Sequence, residues 1–237
     1  MLAELKRSWM VVFVKVRMKF EKGDEVKYIS HLDMMRTFER SLRRAKLPIA
    51  FTKGFNPRPK LTFSQALPVG VTSSSEFVDV EFNEKVEIDD VICRLNKYLP
   101  RGFLVKYADF CNNDFPLHML NCAKYIAKIA INKNSQIDIE KVISNILARK
   151  QIIIEKQSKS RKRLIDIAPL IYDIYIKEFK DEICLLCLEL SIGQDGNVTP
   201  EMLISILNEN LERNVSILLI NREEMYLREG EKITYPL

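Results

Sequence analysis

The stretch LTFSQALPVGVTSSSEFVDVEF, Leu61 to Phe82, holds two strand-like runs with no helix between them. In the second run, SSEFVDVEF, Phe77, Val78, Val80 and Phe82 are apolar, and Asp79 and Glu81 separate the later members, as in a half-buried strand. Upstream, Trp9 to Phe20 alternates in its later half, with Phe13, Val16, Met18 and Phe20 among Lys15, Arg17 and Lys19, so it reads as a first strand. A helix is expected from Ser30, a good N-cap with Asp33 at the capping-box position, to the residues before Pro48. Its buried stripe reads Ile29, Leu32, Met35, Phe38, Leu42 and Ala45. Downstream, a helix over Ile88 to Tyr98 closes at Pro100 and Gly102, and a strand follows over Phe103 to Ala108. The order β-α-β-β-α-β is that of a ferredoxin-like sandwich.

Asp109 to His118, DFCNNDFPLH, is polar and turn-rich and divides the chain into domains 1–110 and 119–237. Beyond it, strands are expected at Ala123 to Ile131, Ile152 to Lys156, Glu182 to Leu190 and Val215 to Ile220. Helices are expected at Ile137 to Arg149 and at Pro200 to Asn210, the latter with Thr199 as N-cap. Leu164 to Phe179 fits neither period. The fold class is therefore α+β, with tandem ferredoxin-like sandwich domains and mainly antiparallel sheets. The duplication is inferred from element order alone.

A composition of 47% hydrophobic and 29% charged residues, with a mean hydropathy of −0.10, is that of a globular protein. No run approaches the roughly 18 apolar residues of a spanning helix, and MLAELKRSW lacks a signal-peptide core, so a cytoplasmic protein with no membrane partner is expected. The five cysteines are odd in number and scattered, which fits reduced thiols. Cys184 and Cys187 have C-x-x-C spacing inside the strand-like EICLLCLEL, where residues three apart face opposite ways and do not converge on a metal. Phosphate-binding glycine loops, zinc-protease and serine-elbow motifs are missing, as is the cysteine triplet of a radical S-adenosylmethionine (SAM) cluster. No metal or cofactor site is expected in this chain.

Charge is concentrated locally. Lys15 to Lys60 carries 13 basic and 5 acidic side chains, while residues 116–237 are balanced at 17 of each. Such a patch suits a polyanion. Arg36, Arg40, Arg43 and Arg44 share the first helix, either as a solvated face or as a phosphate-binding one. In FTKGFNPRPK, Gly54 can take positive φ, Asn56-Pro57 favours a turn and Pro59 holds Arg58 extended. A stiff loop presenting Lys53, Arg58 and Lys60 loses little entropy on binding. Phe63 reads as core, and Phe55 as either a base-stacking group or an anchor. KQSKSRKR, Lys156 to Arg163, adds five positive charges in eight residues, with Lys159, Arg161, Lys162 and Arg163 as candidate phosphate contacts. Of the two histidines, His31 is a weak candidate acid or base and His118 reads as structural.

Tyr28 to Phe82, with its SHLD…R…ER…RRA and GFNP.PK..F..ALP.G blocks, closely resembles the radical SAM-linked protein family, a bacterial domain of unknown function fused to or encoded beside a radical SAM enzyme. SRKRLIDIAPLIYDI and GNVTPEMLISIL match it more loosely, and Ala168 stands where that family has an arginine. The resemblance implies a radical SAM enzyme as partner, which would supply the iron–sulfur cluster and S-adenosylmethionine. A fainter likeness of layout links the first block to repeat-associated RNA-processing proteins of CRISPR systems, some of which cleave RNA without metal using a histidine. Together these readings favour a non-catalytic RNA-binding module that presents tRNA or rRNA to the partner. A metal-independent endoribonuclease using His31 and a protein-only adaptor are the alternatives.

Overall fold

A computed structural model describes residues 14–111, 115–131, 139–157, 162–193, 196–211 and 215–237. The chain begins with β1 (Val14–Lys22), α1 (His31–Arg44), β2 (Leu61–Phe63), β3 (Thr72–Phe82), α2 (Ile88–Tyr98) and β4 (Phe103–Phe110), the expected β-α-β-β-α-β order. It continues with β5 (Cys122–Ile131), α3 (Ile139–Leu147), β6 (Ile153–Gln157), β7 (Lys162–Asp166), β8 (Ile171–Lys180), β9 (Ile183–Ser191), α4 (Pro200–Asn210), β10 (Val215–Glu229) and β11 (Lys232–Thr234).

Element order leaves open whether the two expected sandwiches share a sheet, and in the structure the strands of both halves do. One nine-stranded sheet runs β4-β1-β3-β10-β5-β9-β8, with β2 on β3 and β11 on β10, and β6-β7 is a separate hairpin. Every pairing is antiparallel except β3-β10, which is parallel over two register pairs, Thr72 with Asn221 and Ser73 with Arg222. The last strand is longer than the expected Val215 to Ile220, because β10 pairs with β5 as far as Tyr226 and then with β11 over Leu227 to Glu229. The ambiguous Leu164 to Phe179 resolves into β7, a 3-10 turn at Ala168–Leu170 and β8. Each part is too short or too irregular to show one period.

Two apolar clusters lie along the sheet. Val16, Met18, Phe20, Val78, Val80 and Phe82 meet Phe38 and Leu42 of α1 and Val91 and Leu95 of α2. Ala127, Ile129, Leu186 and Leu188 meet Ile143 and Ile146 of α3 and Leu203 and Leu207 of α4. α1 starts as expected, with Ser30 Oγ accepting from Asp33 N. At its other end Arg94 donates to the carbonyls of Ala45 and Lys46, placing a cation at the negative end of the helix dipole. The buried stripe is rotated from the expected one: Leu32 is exposed, whereas Met34 and Ser41 are buried. The reason is α2, whose Tyr98 carbonyl accepts a hydrogen bond from Ser41 Oγ. Cys184 and Cys187 lie on opposite faces of β9, with Cys184 in the core and Cys187 across from Tyr175.

The sheet face opposite α1 is sealed by Arg17. Its guanidinium forks onto Asp79 at 2.7 and 2.9 Å and donates to the carbonyls of Phe115 and Pro236, tying the crossover segment and the C-terminal residues to β1. Both charges are almost wholly buried. Removing one partner strands the other, so Asp79→Ala should lower unfolding free energy by about 3–5 kcal/mol, whereas Asp33→Ala in the exposed Asp33–Arg36 pair should cost about 1 kcal/mol or less. Urea unfolding of the two variants measures the contrast, and similar midpoints would contradict a sealing role for Arg17.

Candidate nucleic-acid interface

Arg36, Arg40, Arg43 and Arg44 are all exposed, on the side of α1 away from Met34, Phe38 and Leu42. Local contacts hold them in place. Arg36 pairs with Asp33 at 3.3 Å, and Arg40 Nε donates to the Arg36 carbonyl. Arg43 lies 4.7 Å over the Phe51 ring and Arg44 5.5 Å over Tyr98. Stacking on an aromatic leaves a guanidinium edge available for phosphate while restricting its rotamers.

Phe51 is also where the loop begins. Phe51 bridges Pro59, Thr52 N donates to the Arg58 carbonyl, and Arg58 N donates to Thr52 Oγ1, which closes a small hairpin over residues 51–59. Gly54 stands at φ 141°, a conformation that disfavours any other residue at the tip. Lys53, Phe55 and Arg58 are exposed on this hairpin, and Phe55 has no shielding at all. Phe63 packs into the core as expected. The Arg43–Phe51 contact thus brings the arginine ridge and the hairpin onto one surface.

Two expected phosphate contacts are already engaged. Lys60 pairs with Glu81 at 2.6 Å, since β2 sits beside β3 and sets the lysine next to the carboxylate. Lys162 pairs with Glu155 at 2.7 Å across the β6-β7 hairpin, so this basic run is less one-signed in space than in sequence. Arg163 is exposed on that hairpin, whereas Lys159 and Arg161 lie outside the described residues. Among the described residues no cluster of three His, Cys, Asp or Glu could hold a metal.

His31 belongs to a different place. It aligns with Met34, Phe38 and Leu42 on the inner side of α1 and sits edge-on to Phe63 at 6.0 Å between ring centres. Beside it is a buried polar group that the sequence did not suggest. Arg222 is fully buried and donates from Nε and Nη2 to Glu76 at 2.6–2.9 Å and from Nη2 to the Gln65 carbonyl. Lys22, 2% exposed, donates to the carbonyls of Lys27 and Ile29. Burial holds the His31 imidazole below its ordinary pKa, with Glu76 opposing the shift and Arg222 and Lys22 reinforcing it. His118 is exposed, and its carbonyl accepts a hydrogen bond from Gln65 Nε2.

The chain belongs to a family described as uncharacterized proteins conserved in bacteria (DUF2344), whose model matches residues 15–200. No curated protein matches it. Among solved structures it resembles a Cbf5-Nop10-Gar1 complex with a TM-score of 0.53 at 13% identity, over 93% of this chain and 51% of that one. It also resembles an archaeal box H/ACA sRNP Nop10-Cbf5 complex with a TM-score of 0.43 at 11% identity, over 90% and 47%. The chain therefore spans about half the length of these solved chains, and the first likeness shows the fold alone. No helix among the described residues is long and apolar enough to cross a membrane.

Because His31 has a lower pKa in the folded chain than in the unfolded one, the unfolded state takes up its proton first as pH falls. The stability held by neutral His31 is complete above the ordinary value of 6.5 and declines below it toward the lowered folded value. His31→Gln should flatten the fall in melting temperature between neutral and mildly acidic pH. Parallel melting curves for the two proteins across that range would show that burial does not hold the imidazole neutral.

Proposed function

We propose that this DUF2344 chain is a non-catalytic RNA-binding module that presents structured RNA, tRNA or rRNA, to a separate modifying enzyme. The observation that carries the reading is the single exposed surface made by Arg36, Arg40, Arg43 and Arg44 with the hairpin bearing Lys53, Phe55 and Arg58, joined through Arg43 and Phe51. Its cations are spaced by helix and hairpin geometry, so they suit the regular phosphates of folded RNA. Phe55, exposed between two cations on a hairpin of few conformations, suits stacking on an unpaired base. The likeness to the Cbf5 complex agrees with a fold that serves in an assembly, but transfers no activity.

The partner in this proposal is a radical SAM enzyme, on the strength of the sequence resemblance, and the iron–sulfur cluster and S-adenosylmethionine would reside there. The endoribonuclease reading loses support because His31 is on the inner side of α1, away from the arginine surface. A protein-only adaptor is favoured by one feature, the unshielded Phe55, which a protein pocket would accept equally well.

Salt dependence separates the readings. With Z phosphate contacts, the logarithm of affinity falls with the logarithm of salt at a slope of about 0.7–0.9 per contact. Arg40→Gln and Arg58→Gln should each weaken binding to a tRNA pool and reduce that slope by about one contact, while Lys60→Gln, at a side chain paired with Glu81, should leave it nearly unchanged. Wild-type binding that ignores salt, or equal effects from all three variants, would refute the phosphate-clamp reading. A pull-down of the radical SAM enzyme that survives nuclease but fails in Phe55→Ala would instead favour the adaptor.

A further inference from the structure

The register of the sheet sets Lys22 of β1 opposite Ser73 of β3, Ser73 opposite Arg222 of β10, and Arg222 opposite Tyr125 of β5. Residues opposed in a ladder share a face, so these four side chains form one row across the line where the two halves of the sheet meet. Glu76 reaches the row through its ion pair with Arg222. His31 joins it through the first turn of α1, since Lys22 Nζ donates at 3.0 Å to the carbonyl of Ile29, two residues earlier.

Two atoms in this group are buried and make no hydrogen bond of good geometry: Arg222 Nη1, although the Tyr125 hydroxyl lies close to this guanidinium, and His31 Nδ1. They are the only such side-chain atoms among the described residues. An unmade hydrogen bond at a buried guanidinium is costly, and native interiors rarely leave one. Charge is also unbalanced here. Lys22 and Arg222 are both buried cations, and Glu76 is the buried carboxylate that faces them. The other carboxylates nearby are directed elsewhere: Asp33 is exposed and engaged with Ser30 and Arg36, and Glu201 is half-exposed in the first turn of α4, near Tyr125. His31 is the first residue of the 14-residue α1, so the positive end of that helix dipole adds to the same field.

We propose that this row is a binding site for a phosphate oxyanion, held by Arg222 Nη1, His31 Nδ1 and the Lys22 charge at the N-terminus of α1. The site is distinct from the arginine surface and does not depend on the RNA reading. Its ligand is a free phosphate group or a phosphodiester, which share this chemistry. A bound oxyanion would make Nδ1 of His31 a donor and satisfy both atoms at once.

The chain has two histidines, one in the site and one exposed, which gives a built-in control. In the nitrogen-15-labelled full-length protein, imidazole resonances are followed while inorganic phosphate replaces chloride at constant ionic strength. His31 should shift saturably and His118 should not. Arg222→Lys keeps a cation beside Glu76 but removes the second guanidinium arm, and should weaken the response about tenfold, the scale of one charge-assisted hydrogen bond. If Arg222→Lys does not fold, the wild-type titration decides alone. A uridylyl-uridine titration identifies the source: a matching His31 shift assigns a phosphodiester, and a response to inorganic phosphate only assigns a free phosphate. No saturable His31 shift with either probe, equal shifts at both histidines, or a folded Arg222→Lys that responds like wild type would overturn the proposal. Arg40→Gln and Arg58→Gln should leave the phosphate titration unchanged, so failure of the RNA reading and failure of this site are separately visible.

Discussion

The Arg222–Glu76 ion pair is the interaction on which the continuous sheet depends. Backbone pairing between β3 and β10 is limited to two residue pairs, too little to hold two halves of a sheet in register by itself. Side chains supply the rest. Thr72 Oγ1 donates to the Ile220 carbonyl, Ser73 Oγ to the Arg222 carbonyl, and Asn221 Nδ2 to Ser74 Oγ. Over these the Arg222 guanidinium reaches both Glu76 and the Gln65 carbonyl, linking β10 to β3 and to the segment that leaves β2. A buried ion pair contributes little net stability, because desolvation offsets most of the attraction. Its value lies in the alternatives it excludes. A shift of one residue at β10 would turn Arg222 to the other face and leave Glu76 buried and alone, so the pair selects the one register in which both are satisfied.

That register has consequences for α1. The helix is pinned at its N-terminus near the seam, through Lys22 and the carbonyl of Ile29, and at its C-terminus by Arg94. Its inner side is therefore committed to Phe20, Phe63 and the buried polar row, and its outer side carries the arginines. Two positive regions result, one dry and one wet. In the dry region a missing partner costs several times what it costs at the surface. In the wet one, individual charges are screened within about 10 Å at moderate salt and act only collectively. The same helix thus separates the buried polar row from the exposed arginine surface.

Much of the first region was legible in sequence because its determinants are local. The Ser30 cap, the extent of α1, the two strands flanking Leu67 to Val71 and the stiffness of GFNPRPK each follow from residues within a few positions of one another. The seam was not legible, for a physical reason: Glu76 and Arg222 are 146 positions apart, and a lone charge in a strand reads as solvent-facing until its partner is placed. The same blindness made Lys60 and Lys162 look available, since Glu81 and Glu155 meet them only through strand pairing. Leu32 was misassigned because a period places residues on a face but does not say which face a neighbouring helix will cover. The serines of SSSE were a signal in retrospect: small hydroxyls inside an apolar strand are where a sheet accepts cross-strand hydrogen bonds that its backbone does not make.

The prolines and glycines between Phe51 and Gly70 serve two tasks. Near the tip, Gly54 and the Thr52–Arg58 bonds fold residues 51–59 back on themselves, so that Phe55 projects from a hairpin whose base is fixed by Arg43 and by Pro59. An aromatic with no shielding is costly in water, and the stiffness of its support means little entropy is lost when a partner covers it. Toward the seam, the turn through Pro68 and Gly70 ends in the Gly70 N–H donating to the Lys27 carbonyl, the same carbonyl that Lys22 Nζ reaches. The loop is thus anchored at one end to the outer arginine surface and at the other to the backbone that holds Lys22 beside His31. A single segment therefore connects the exposed arginine surface with the buried polar row.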